Sequence, residues 1–66
     1  MSKFSAFFDD VKALAKFYNS RSGVTFTSDP YEQIGSYWVD FTLDILSEED
    51  TRNKVYQAGG TMIEHH

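Results

Sequence analysis

The chain has 66 residues, no cysteine, and ten Asp and Glu against six Lys and Arg, for a formal net charge of -4. Those figures exclude a disulfide framework, a cysteine-based zinc or iron–sulfur site and a thiol nucleophile. They also argue against direct nucleic-acid binding, which needs clustered basic side chains to neutralise phosphates.

The first element predicted is a helix from Ser2 or Ser5, as N-cap, to about Tyr18 or Asn19. Phe4, Phe7, Val11, Leu14 and Tyr18 recur at helical spacing as an apolar stripe, with Phe8, Ala15 and Phe17 at its margins. Asn19-Ser20-Arg21-Ser22-Gly23 stops it. Val24-Thr25-Phe26-Thr27 reads as a short strand, followed by a turn at Asp29-Pro30-Tyr31-Glu32 with Ile34 tucked beneath the loop. From Ser36 to Leu46 the period is two: Tyr37, Val39, Phe41, Leu43 and Ile45 face inward, while Trp38, Asp40, Thr42 and Asp44 face outward. These two strands form an antiparallel hairpin. Ser47 caps a second helix whose first turn is acidic, Gly59-Gly60 end it, and Thr61 to Glu64 add a short strand before a frayed His65-His66 tail. The expected fold is α+β: an N-terminal amphipathic helix packed on a small antiparallel β-sheet, αββα or αββαβ, in a single domain spanning 1–66.

No apolar run approaches the ~18 residues of a membrane span. Met1-Ser2-Lys3-Phe4 leads into Asp9-Asp10 rather than an apolar core, so no signal peptide is expected and the cytoplasm is the expected location. A core of this size without disulfides depends on large rings, a partner or self-association. Six Phe, four Tyr and one Trp supply the rings, and they suit a homodimer equally well.

Charge is distributed unevenly. Residues 22–50 hold Asp29, Glu32, Asp40, Asp44, Glu48, Glu49 and Asp50 with no Lys or Arg. On a strand Asp40 and Asp44 share one face about 13 Å apart, too sparse by themselves to copy the phosphate spacing of DNA. A solvated face that keeps a small protein soluble explains such residues without a partner. With Trp38 outward as an apolar anchor, the same residues make an interface with a basic surface, in which Asp40, Asp44, Glu48 and Glu49 carry the pairing and Asp29 and Glu32 form a rim.

Catalysis has no comparable signal. The two histidines fall at positions 65 and 66, side chains at i and i+1 diverge too far to chelate one ion, and Asp40 with Asp44 lacks a water-excluding cleft. Neither enzyme activity nor a metal or cofactor is expected. In its size, acidity and lack of cysteine the chain resembles the small single-domain inhibitors that phages and mobile elements encode against host or defence machinery, anti-CRISPR and anti-restriction proteins among them. That resemblance implies a non-enzymatic protein that masks a basic, nucleic-acid-binding site of a larger partner. The competing expectation is a structural or regulatory subunit that homodimerises through an aromatic surface, with Phe8 and Phe17 at the rim of the first helix where they do not simply extend the core.

Overall fold

The computed structural model describes residues 3–19, 23–45 and 47–65. Its order is β1 (Lys3–Phe8), α1 (Val11–Asn19), β2 (Val24–Phe26), β3 (Tyr31–Gln33), β4 (Ser36–Leu43), α2 (Glu48–Gln57) and β5 (Gly60–His65). All pairings are antiparallel, in the sheet order β2-β4-β1-β5, and β3 pairs with β4 as well. Taking β2 and β3 as one interrupted edge strand, this is two interleaved split βαβ units, the ferredoxin-like connectivity.

The fold is therefore α+β, but a strand comes first. Lys3–Phe8 satisfies a period of two as well as the helical stripe: Phe4, Ala6 and Phe8 alternate with Lys3, Ser5 and Phe7. Tertiary pairing decides between them. As β1 these residues form ladders with β4 on one side and β5 on the other, which no helix could do. The helix expected from Ser5 thus starts at Val11; Ser2, the other expected cap, lies outside the described residues. Asp10 caps α1 instead, its Oδ1 accepting from the Lys12 N–H at 2.9 Å. Val11, expected on the buried stripe, is 51% exposed, as part of an exposed run from Asp9 to Lys12.

The core lies between the sheet and the two helices. Phe4, Ala6 and Phe8 from β1, Val39 and Phe41 from β4, Met62 from β5, Leu14 and Phe17 from α1 and Val55 from α2 are all buried. Phe17 meets Phe8, Phe26 and Phe41 at centroid distances of 5.8, 5.7 and 5.7 Å. Such tilted and edge-on ring pairs add to the area term. Burial of Phe8 at 1% and Phe17 at 2% removes the aromatic rim expected for homodimerisation: these rings fill the core.

β4 keeps the predicted alternation but ends at Leu43, so Ile45 is 87% exposed rather than inward. Gly23 closes that end, its carbonyl accepting from the Asp44 and Ile45 N–H groups at 3.1 and 3.0 Å. The predicted pairing of 24–27 with β4 is present, in the register Val24↔Leu43 and Phe26↔Phe41. Its loop folds further into β3. Pro30 has no N–H to donate, and the Ser28 Oγ accepts from the Asp40 N–H at 3.1 Å across the gap. The opposite edge is blunted too: Arg52 Nη1 donates to the Met62 carbonyl at 3.0 Å and Nη2 to Glu48 Oε2 at 3.0 Å. Ser47 caps α2 as predicted, accepting from the Asp50 N–H at 3.2 Å.

The β3–β4 hairpin turns on Ile34 and Gly35, both at positive φ (53° and 73°), between the pair Gln33↔Ser36. Two central residues at positive φ make a type I′ turn, which favours Asn-Gly. Ile34 is β-branched and 88% exposed, so it neither suits this backbone nor gains from burial, and it does not tuck beneath the loop. Ile34→Asn should stabilise the protein by about 1 kcal/mol, raising Tm by roughly 4–8 °C in a calorimetric melt. An unchanged or lowered Tm would show that the Ile34 side chain contributes to folding.

Candidate functional site

The helices cover one side of the sheet, and the other side stays open. By register the open side carries Ser5 and Phe7 from β1, Trp38 and Asp40 from β4, Tyr31 from β3 and Ile63 and His65 from β5. Ten of the chain's 66 residues are Phe or Tyr, and two of these stand on either side of the single Trp here. Phe7 stacks on Trp38 at 4.6 Å between centroids, and Tyr31 stacks on its other side at 6.4 Å with the planes 13° apart. Cross-strand pairing places them so: Phe7↔Trp38 and Tyr31↔Trp38 are directly opposed residues. Trp38 Nε1 donates to the Gln33 carbonyl at 3.0 Å, which fixes the indole. Both faces of the indole are occupied, so a base or a cation has no free ring face there; the row offers its edges, as a flat apolar strip.

Beside the strip lies a polar network. Ser5, fully buried, donates from Oγ to Asp40 Oδ1 at 2.6 Å, and its oxygen also meets His65 Nε2 at 2.5 Å. Tyr31 donates its hydroxyl to the same Asp40 Oδ1 at 2.9 Å. Partial desolvation, and then the hydrogen bond to Asp40 and that residue's charge, raise the Tyr31 pKa above its ordinary 10.0. The folded value being the higher one, the contribution of this contact is fully present below pH 10 and is lost as the pH rises through the raised value.

The residues are those of a Ser/His/Asp hydrolase, but in a different order. Here the serine sits between histidine and aspartate, its proton goes to the carboxylate, and its oxygen is shielded from solvent. A nucleophilic serine needs the imidazole as its base and a path to substrate. The network links side chains of β1, β3, β4 and β5 across the open face. Among the described residues no group of three His, Asp or Glu is arranged to hold a metal ion.

Of the residues singled out from sequence, Trp38 and Asp40 lie on this face together. Asp44 follows just past the end of β4, exposed, and accepts from Thr25 Oγ1 at 3.2 Å. Glu48 and Glu49 stand exposed on the first turn of α2, where they face the positive end of the helix dipole, and Glu48 pairs with Arg52. Glu32 pairs opposite Tyr37, out of phase with Tyr31 and Trp38, and Asp29 lies in the β2–β3 break. The carboxylates are thus spread over two ends of the sheet and one helix rather than gathered in one patch. Phe7, Ser5, Tyr31 and His65 were missed. His65, expected to fray, is the last residue of β5 and pairs with Lys3; His66 lies outside the described residues.

Comparison with protein-family models, with curated proteins and with solved structures finds no match. No helix among the described residues is long and apolar enough to cross a membrane.

Proposed function

We propose that this chain is a small non-enzymatic binding protein that sets the helix-free face of its sheet against a basic surface of a larger protein. The observation that carries this reading is the Phe7–Trp38–Tyr31 row, held in place on a sheet face that no helix covers. Aromatic side chains at the centre of a patch are the usual energetic anchors of interfaces. The formal charge of -4 supports a basic partner, with Asp40 on the face itself and the exposed Asp44 just past the end of β4. The molecule measures 28 × 23 Å along its two longer axes, the scale of a standard interface of ~800 Å² per partner. Covering a nucleic-acid-binding groove would make the chain an inhibitor of the partner that owns it.

The experiment is capture by the immobilised chain, then affinity measured with the purified captured protein. Trp38→Ala should weaken binding by at least ~30-fold. The exposed Asp44→Lys should weaken it several-fold, with affinity falling between ~50 and ~200 mM salt. A partner held equally well by both variants would overturn the proposal.

A further inference from the structure

The opposite side of the molecule carries a feature that docking through the open face does not use. Between the C-terminal halves of α1 and α2 lies a groove of about 190 Å³ lined by Lys16, Phe17, Lys54, Gln57 and Ala58. Its apolar lining comes from Phe17, itself 2% exposed, and the half-buried Ala58. Two of the chain's six basic residues flank it and no carboxylate does, in a protein that holds ten. Among the described residues the ion pair is Arg52 with Glu48, and neither lysine takes part in one. Each helix C-terminus contributes about half a negative charge, against a full positive charge on each lysine, so the groove stays positive by roughly one elementary charge.

We propose that this groove binds a small anionic amphiphile: a carboxylate set between the Lys16 and Lys54 ammonium groups, on a short apolar stem that lies over Phe17 and Ala58. Volume sets the size. At ~30 Å³ for each water displaced, the groove accepts about six or seven non-hydrogen atoms, well below a drug-sized ligand. Pentanoate meets this description, and 1-pentanol is its uncharged counterpart. The pairing takes place at the surface, so it weakens with added salt.

The test is an amide proton–nitrogen NMR titration of the whole chain with sodium pentanoate at low salt. Saturating shifts are expected at Lys16, Phe17, Gln57 and Ala58, with a dissociation constant on the order of 1 mM. 1-Pentanol should bind at least fivefold more weakly. Lys16→Gln with Lys54→Gln, both on exposed side chains, should weaken pentanoate at least tenfold while the rest of the spectrum is preserved. Shifts that stay linear, that fall on the open face of the sheet, or that are matched by pentanol would each overturn the proposal. Undiminished binding by the double variant would do the same.

Discussion

Phe41→Ala should cost about 3–5 kcal/mol, the range for removing a buried aromatic ring. A domain of this size holds only about 3–10 kcal/mol in total, so the variant should lose about a third or more of its stability. Phe41 is fully buried, stacks with Phe4 at 5.9 Å, and meets Phe17 and Phe26 edge-on at 5.7 and 6.2 Å. Those rings come from β1, α1 and β2, so a single side chain ties three elements to β4. Phe41→Leu, which keeps most of the volume, should retain a cooperative transition at a cost of about 1–2 kcal/mol. Urea unfolding followed by circular dichroism measures both. An alanine variant within 1 kcal/mol of the parent would mean that this ring cluster is not the centre of the core.

The second large effect belongs to Gly60. It pairs opposite Phe8 across β1 and β5, and a Cβ built there would overlap Cδ2, Cε2 and Cζ of the Phe8 ring. That ring is 1% exposed and packs on Phe17, so it has nowhere to retreat. Gly60→Ala should therefore destabilise by about 1–3 kcal/mol, a fall in Tm of roughly 5–20 °C. The neighbouring Gly59 is needed for a different reason. A Cβ there meets nothing, but its φ of 92° ends α2 in a conformation that other residues rarely adopt. The two cases separate in a double-mutant cycle. Shrinking the ring with Phe8→Leu should make Gly60→Ala cheaper and leave the cost of Gly59→Ala unchanged. An additive Phe8–Gly60 pair would show that the close approach is not what requires the glycine.

Both effects come from packing that periodicity foreshadows only in part. The alternation from Ser36 onward was legible because β4 is buried on one face and half-open on the other, which is the condition under which a period of two is unambiguous. The caps of α2 were legible because Ser47 and the glycine pair act through local backbone chemistry. The β3–β4 hairpin was not, since Ile34-Gly35 lacks the Asn or Asp that usually marks such a turn. On the candidate interface, Trp38 and Asp40 could be found by counting along one strand. Phe7, Tyr31, Ser5 and His65 could not, because they reach that face only through pairing between strands.

By itself the amino-acid sequence determined the class of protein: small, acidic, cysteine-free, with an aromatic core, one amphipathic strand at its middle and a capped helix after it. Composition and local periodicity act within a few residues and need no knowledge of neighbours. Only the tertiary structure decided the state of Lys3–Phe8, whose pattern fits a helix and a strand alike. Its free energy as a strand comes from ladders to β4 and β5, residues 29 to 39 and 52 to 62 positions away. The same long-range pairing turned Phe8 inward and brought His65 onto Ser5, while packing of α1 on the sheet buried Phe17.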